Sequence, residues 1–252
     1  MKSRLLPERI PIESPGPVLG RAGMKLPGAR MVIVHENIGD LSIAVARRIA
    51  QIAAQAIGAR GVFHIALAGG DTPRGCYRQL RNAAVDWEHV HIYFGDERCL
   101  PRGDVRRNDS MAHEELLAHV AIPRDHVHPV DAERGAKIAA TEYAALLTRA
   151  LPLDLVLLGL GEDGHTASLF PGSAATEQDD VVVPVFNAPK PPAERVSLSL
   201  GALNAAREKI FLVAGKEKRE ALSRIARGVA LPAARVAGAE WHVDRAALPE
   251  ET

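Results

Sequence analysis

The sequence has few cysteines, no excess charge of either sign and no long apolar run, and each absence excludes a class of protein. Its two cysteines, Cys76 and Cys99, cannot form a disulfide framework. The 31 basic and 31 acidic side chains balance, so the composition lacks the basic character of proteins that bind nucleic acid or anionic membranes. The apolar runs are far shorter than the roughly 20 residues that cross a bilayer, and the amino terminus lacks the apolar segment of a signal peptide. We therefore expect a cytoplasmic protein that binds neither nucleic acid nor a membrane.

Proline and glycine are concentrated at the amino terminus. Residues 1–28 contain five prolines and four glycines, a composition that maintains neither a helix nor a central strand. We predict an irregular N-terminal arm over residues 1–28, followed by a single α/β domain over residues 29–252.

Apolar, strand-like runs alternate with helical segments from residue 31 onward. An amphipathic helix is predicted over residues 39–59, because Leu41, Val45 and Ile49 share one face. Strands separated by helices predict βαβ units. The fold class is therefore α/β, in a single domain, with a mostly parallel sheet flanked by helices on both faces.

Three glycine-containing loops, at 69–73, 95–99 and 159–168, follow strand-like runs. In parallel sheets, ligands bind beyond the carboxyl ends of the strands, near the point where the strand order reverses. We expect these loops to form one site.

The third loop reads GLGEDGH and has the G-x-G-x-x-G spacing of dinucleotide-binding turns. Its variable positions are Glu162 and Asp163, and each would repel a pyrophosphate at 4 Å by about 1 kcal/mol in water and about 4 kcal/mol at an effective dielectric of 20. A helix terminus typically offers an anion only about 0.3–1 kcal/mol. We therefore favour a turn that presents Asp163 and His165 to a substrate, with the carboxylate orienting the imidazole. The alternative is a structural turn in which Asp163 caps a following helix and His165 is merely exposed.

The first loop, AGGDTP, suits a single phosphate. Gly69 and Gly70 allow close approach of the backbone, and Thr72 before Pro73 is typical of a helix N-cap. Asp71 must then point away or accept a cation. An ordinary turn between a strand and a helix is the alternative.

The second loop, GDERCLP, places Asp96, Glu97 and Arg98 at the end of an apolar strand. Charges at such a position are costly to bury unless they are paired. An arginine here can hold a carboxylate or a developing oxyanion. The alternative is a salt-bridge cluster at the rim, which we favour for Glu97.

The segment NAPKPPAERVSLSL carries Lys190 and Arg195 on a chain stiffened by prolines. A rigid pair of cations suits a phosphate, and a solvated basic loop is the alternative.

Two pairs of histidines, His89 with His91 and His126 with His128, have a spacing that could supply two metal ligands each. No nearby acid or cysteine completes a tetrahedral set in either pair. We predict no metal site.

Taken together, ALAGGDTP, YFGDERCLP with Asn108 downstream, and LGLGEDGHTASLFPG resemble the 6-phosphogluconolactonase family, whose fold is similar to that of glucosamine-6-phosphate deaminase. NAPKPPAERVSLSL is similar to a late motif of the same family. The resemblance implies a modified Rossmann-like fold and hydrolysis of 6-phospho-D-glucono-1,5-lactone to 6-phosphogluconate in the oxidative pentose phosphate pathway. It implies a sugar-phosphate substrate and no metal or organic cofactor. We expect a monomer or small homo-oligomer whose catalytic domain is the segment 29–252.

The resemblance also implies roles for individual residues. His165 matches the general base that activates water, Asp163 and Asp96 match nearby acids, and Arg98 matches an arginine that contacts the reacting end. The positions expected to bind the substrate, chiefly its phosphate, are Gly69, Gly70, Thr72, Asn108, Lys190 and Arg195.

Two other functions use similar features. An isomerase or deaminase acting on an amino-sugar phosphate would have a similar phosphate-binding site. Related deaminases, however, are expected to carry a glutamate shortly after the loop histidine, and Thr166 to Pro171 contain none. A non-catalytic sugar-phosphate sensor would keep the phosphate-binding site but would not catalyse a reaction. The family commonly has serine where this chain has Ala68, and an uncharged or basic residue at Asp71, which leaves the number of phosphate contacts from the first loop open.

Overall fold

The apolar runs form the strands of two sheets in the computed structural model, which describes residues 24–249. The predicted arm falls mostly on residues 1–23, which lie outside the described residues. Residues 24–28 form no helix or strand, and Leu26 is buried in the core.

The elements alternate along the chain as predicted. The strands are β1 (Met31–His35), β2 (Phe63–Leu67), β3 (Val90–Phe94), β4 (Asp96–Arg98), β5 (Leu155–Gly159), β6 (Val182–Val185), β7 (Arg195–Leu198), β8 (Glu208–Val213) and β9 (Glu240–Asp244). The α-helices are α1 (Ile38–Arg60), α2 (Thr72–Leu80), α3 (Asn108–Glu115), α4 (Ala136–Leu147), α5 (Leu200–Ala205) and α6 (Arg219–Ala226). None of the helices between residues 24 and 249 has the length and apolar character needed to cross a membrane.

Six parallel strands form the main sheet, in the order β1-β9-β8-β5-β2-β3. The chain runs from β2 outward to β3 on one side, whereas β5, on the other side of β2, leads to β8 and β9. The strand order therefore reverses between β2 and β5, and the loops after these two strands leave the same edge side by side. The predicted α/β class, with a mostly parallel sheet flanked by helices, is confirmed.

A second sheet of three antiparallel strands, in the order β4-β7-β6, stands beside the main one. Its strand β4 has only three residues and begins directly after Gly95, which follows β3. In its register with β7, Asp96 pairs with Ser197 and Arg98 pairs with Arg195. This sheet brings the segment that contains Arg195 next to the loop that contains Asp96.

Helix α1 confirms the helix predicted over 39–59 and begins at a good cap. The side-chain oxygen of Asn37 accepts hydrogen bonds from the N–H groups of Gly39 and Asp40. Gly61 ends the helix with a φ of +77°, and its N–H donates to the carbonyl of Ile57. Positive φ is costly for residues with a Cβ, so this glycine fixes the end of the helix.

The start of α2 differs from the prediction. The helix begins at Thr72, and Asp71 stands at the cap position without a side-chain hydrogen bond to the helix. Asp71 has φ −85° and ψ −33°, a helical conformation rather than the extended one of a side-chain cap. Its exposed carboxylate lies 3.3 Å from Arg74 Nε, so it faces a cation of the same helix. The prediction that Thr72 is the N-cap is therefore wrong.

Candidate active site

The loops after β2, β3 and β5 meet around a cavity of about 190 Å³. It lies at the point where the strand order of the main sheet reverses. The predicted site residues that line it are Gly69, Gly70, Thr72, Asp96, Arg98, Asn108, His165, Lys190 and Arg195. Asp163 is the one predicted residue that does not line the cavity, and it contacts His165 instead.

The imidazole of His165 is hydrogen-bonded to the carboxylate of Asp163. The Nδ1–Oδ1 distance is 2.5 Å, and the backbone N–H of His165 donates to the same oxygen at 3.1 Å. Partial burial raises the pKa of Asp163, but the hydrogen bonds from the His165 side chain and backbone outweigh it and lower the pKa to about 2. Asp163 is therefore a carboxylate at neutral pH and accepts the Nδ1 proton, which leaves Nε2 as the basic nitrogen of a neutral His165.

Two glycines of the third loop allow close packing, one against this histidine and the other against Leu231. A Cβ on Gly161 would lie 2.0 Å from His165 Nδ1. Gly164 has a φ of +89°, and a Cβ there would lie 2.4 Å from a methyl carbon of Leu231. The G-x-G-x-x-G spacing thus serves a tight turn that carries an imidazole.

No helix follows that turn directly, since the next helical segment is the 3-10 turn Ala174–Glu177. A dinucleotide loop needs a helix N-terminus at this position to hold its pyrophosphate. The alternative in which Asp163 caps a following helix fails for the same reason. The His165 ring instead lies beside Phe170, with ring centres 4.6 Å apart.

Asp96 is buried and held from two sides. Asn108 Nδ2 donates to the Asp96 carbonyl at 2.9 Å and to Oδ1 at 3.0 Å, while Ser168 Oγ donates to Oδ2 at 2.6 Å. Both amide protons of Asn108 are thus used on Asp96, which leaves none for a phosphate. Ser168 is a contact that the sequence analysis missed.

The prediction that Glu97 belongs to a salt-bridge cluster at the rim is wrong. Its side chain is fully buried and does not line the cavity. The carboxylate accepts hydrogen bonds from the backbone N–H groups of Arg98, Asn108 and Asp109, at 2.8, 2.8 and 2.9 Å. A buried carboxylate needs such donors, because isolated burial of a charge is very costly.

Arg195 and Lys190 differ in how firmly they are held. The Arg195 guanidinium is buried, donates to the carbonyls of Lys190 and Pro192, and lies 5.5 Å from the centre of the Phe170 ring. Burial lowers the pKa of Arg195, with Asp96 opposing this effect. Lys190 is exposed and its Nζ lies 3.3 Å from Glu162 Oε1, a surface pair of the kind that contributes little.

The cavity has a further cation that the sequence analysis missed. Lys218 follows β8 and lines the cavity with a mostly buried side chain. The strand β8 lies beside β5 in the main sheet, so its carboxyl end reaches the same edge. The strand-like run KIFLVAG could have been recognised as a further strand of the sheet. Lys218, shortly after its carboxyl end, would then have been a candidate for the same site.

The four histidines considered as metal ligands do not contact one another in the pairs that their sequence spacing suggested. His91 Nδ1 lies 3.0 Å from His128 Nε2, and the rings of His91 and His126 stack with centres 4.0 Å apart. Within residues 24–249, no three or more His, Cys, Asp or Glu side chains are arranged to hold a metal ion.

A parallel sheet with ionisable side chains at its switch point places this chain among the α/β proteins that bind ligands at the carboxyl ends of their strands. Residues 36–244 match the family described as Glucosamine-6-phosphate isomerases/6-phosphogluconolactonase. The chain belongs to this family.

Three similar proteins illustrate the relationship. The 6-phosphogluconolactonase of Mycobacterium leprae (strain TN) is 37% identical over 225 residues, which cover 81% of this chain and 91% of that protein. The Homo sapiens GDH/6PGL endoplasmic bifunctional protein is 38% identical over 200 residues, which cover 75% of this chain and 25% of the human protein. This chain thus spans about a quarter of the length of that bifunctional relative. The crystal structure of 6-phosphogluconolactonase from Thermotoga maritima superimposes with a TM-score of 0.80 at 29% identity, covering 85% of this chain and 99% of that structure.

Proposed function

We propose that this chain hydrolyses 6-phospho-D-glucono-1,5-lactone to 6-phosphogluconate, a step of the oxidative pentose phosphate pathway. The observation that carries the proposal is the His165–Asp163 pair, whose imidazole lines the same cavity as Arg98 and Arg195. The relatives named 6-phosphogluconolactonase support it. The segment 29–252 is the proposed catalytic domain.

His165 is the proposed general base. With its Nδ1 proton held by Asp163, the free Nε2 takes a proton from water as the water oxygen attacks C1 of the lactone. Such help typically accelerates a reaction about 10²- to 10⁴-fold. The imidazolium then returns the proton to the ring oxygen as the C1–O bond breaks, which yields the open acid without a covalent intermediate.

The charge that develops on the C1 oxygen needs a donor. Arg98 lines the cavity at the end of β4, and its Nη1 donates to the carbonyl of Arg106, which limits the freedom of the guanidinium. A cation fixed before the reaction stabilises an oxyanion without reorganisation during it. Asp96, held by Asn108 and Ser168, is the proposed acceptor of hydrogen bonds from sugar hydroxyl groups.

The phosphate binds at the cationic part of the lining. Gly70, with a φ of +87°, and Thr72 at the start of α2 offer backbone N–H groups at a helix N-terminus. Arg195, Lys190 and Lys218 supply positive charge. Fixing the phosphate positions the distant lactone carbonyl for attack, which converts binding energy into orientation.

The test compares two substrates. The lactone is generated in situ and its disappearance is followed with and without the protein, while glucosamine 6-phosphate is offered in parallel and ammonia is measured. Faster loss of the lactone with no ammonia supports the proposal. Ammonia release without any effect on the lactone contradicts it and favours the deaminase alternative.

A further inference from the structure

Glu97 sits directly behind the cavity without reaching it. It follows Asp96 in β4, its side chain is fully buried, and it contacts neither the cavity nor solvent. The proposed reaction gives this residue no role. A fully buried carboxylate beside an active site is costly to maintain, so its contacts indicate what it does.

The Glu97 carboxylate caps helix α3 from another element. The residue at the helix cap position, Arg107, has no side-chain acceptor and makes no capping hydrogen bond to the backbone N–H groups of the first turn. Glu97 instead accepts the first two N–H groups of α3, Oε1 from Asn108 and Oε2 from Asp109. These N–H groups have no partner inside the helix, and a carboxylate at this end is also favoured by the helix dipole.

The Glu97 carboxylate also connects the two segments next to Asp96, which are strand β4 and the start of helix α3. Its Oε1 also accepts the N–H of Arg98, so one oxygen holds β4 and the start of α3 together. Asn108, fixed in this way, directs its side-chain amide at Asp96. The contacts thus run from Glu97 through Asn108 to a carboxylate that lines the cavity.

The buried carboxylate of Glu97 lies near one cation, Arg107, and one anion, Asp109. Arg107, itself fully buried, has its Nε 3.9 Å from Glu97 Oε2, and it also pairs with Asp109 and Glu133. Burial and then the nearby Asp109 raise the pKa of Glu97 to about 7, while its three backbone N–H donors oppose the shift. Protonation would turn one accepting oxygen into a donor and weaken its hold on the N–H groups.

We propose that Glu97 is a positioning residue of the active site, which holds Asn108, and through Asn108 the carboxylate of Asp96, in the orientation that the reaction requires. This inference rests on the proposed lactone hydrolysis for its activity readout. Glu97 itself contacts no substrate.

The test is a double-mutant cycle on lactone hydrolysis. Glu97→Gln keeps the volume but removes the charge and one acceptor, and Asn108→Ala removes the connection to Asp96. Because small misplacements at a site can cost up to 10²-fold, we expect each variant to lower kcat about tenfold with KM changed less than about threefold. If Glu97 acts through Asn108, the double variant is no slower than about the worse single variant.

Glu133→Gln is the matched control. It removes one carboxylate from the same arginine, Arg107, without touching the N–H groups that Glu97 accepts. Because Glu133 is exposed and does not line the cavity, we expect its kcat to stay within about twofold of the unmodified protein. A fully additive double variant, or a Glu97→Gln enzyme with unchanged kcat, overturns the proposal.

A second experiment uses the unmodified protein, so that the proposal can be tested even if Glu97→Gln does not fold. NMR spectra between pH 5.5 and 8.5 follow the backbone amides of Arg98, Asn108 and Asp109 together with the Asn108 side-chain amide. All four should shift with one midpoint near the pKa of Glu97, about 7. A side-chain amide that does not follow the backbone amides contradicts the connection. If the unmodified protein does not hydrolyse the lactone, the proposed function is wrong. The NMR experiment does not depend on activity and still tests the role of Glu97.

Discussion

The side-chain oxygen of Asn108 lies 1.9 Å from the position that a Cβ on Gly69 would occupy. The first loop and the start of α3 therefore fit together only because residue 69 has no side chain. Non-bonded contacts of a Cβ essentially never fall below 3.0 Å, so a side chain there must displace Asn108 or the loop.

We expect Gly69→Ala to lower kcat/KM for the lactone about tenfold or more, because it moves Asn108 and the phosphate loop together. Gly58→Ala, in α1, is the matched control, since a Cβ there meets nothing within 4 Å. That control should keep full activity and gain roughly 0.5–1 kcal/mol of stability, as a helical glycine replaced by alanine does. Steady-state kinetics and denaturant unfolding of both variants check this, and equal activities would contradict the steric argument.

His165→Ala separates a catalyst from a sensor. Without the Nε2 base, turnover above the spontaneous rate should fall at least about tenfold, while 6-phosphogluconate still binds. Titration calorimetry of the product alongside lactone kinetics measures both quantities. His119→Ala, an exposed histidine on another part of the surface, is the control and should behave like the unmodified protein. Unchanged turnover in His165→Ala would remove this residue from the mechanism.

The two cations of the proline-rich segment should not be equivalent. Arg195 is buried and fixed by two carbonyls, whereas Lys190 is exposed and paired with Glu162. Arg195→Ala should therefore raise KM about tenfold or more, and Lys190→Ala by less than about threefold, because exposed ion pairs contribute little. The ratio of the two KM values, from initial rates at constant ionic strength, decides the matter. A larger effect from Lys190→Ala would show that the phosphate sits at the outer rim.

Acid stability should depend on a buried histidine pair away from the site. His35 Nε2 lies 2.9 Å from His242 Nδ1, and burial followed by the neighbouring His242 lowers the pKa of His35 to about 4. An unfolded histidine titrates near 6.5, so between about pH 6.5 and 4 the unfolded state binds a proton that the folded state refuses. The free energy of unfolding should therefore fall as the pH decreases through this window and level off below it.

His35→Gln checks this contribution, because glutamine can keep a hydrogen bond but does not titrate. Urea unfolding at pH 7, 5.5 and 4.5 should give a shallower loss of stability for this variant than for the unmodified protein. His119→Gln, which changes an exposed imidazole, should leave the slope unchanged. Parallel slopes for all three proteins would exclude the His35–His242 pair as a source of acid sensitivity.

Local patterns in the sequence were sufficient for the parallel sheet and for most of the charged and polar residues that line the cavity, with Lys218 as an exception. The alternation of helices and strands requires that the carboxyl ends of β2, β3 and β5 share one edge, so His165, Arg98 and Gly69 could be assigned to one place. Contacts between distant segments were not predictable in this way. The three-residue strand β4 forms only by pairing with β7, and the burial of Glu97 depends on where α3 begins. Ser168 was missed because nothing near it in sequence indicates that it donates to Asp96.

The pairing of Arg98 with Arg195 across β4 and β7 has an energetic consequence for the protein as a whole. Like charges directly opposite each other on antiparallel strands are destabilising, and Arg98 is among the groups that lower the pKa of Arg195, after burial. Asp96, the neighbour that raises the pKa of Arg195, offsets the repulsion between the two guanidinium groups, and an anion that binds beside them would offset it further. Part of the attraction for a negatively charged ligand is thus generated by the folding of the chain itself, and heat resistance should rise with the concentration of such a ligand.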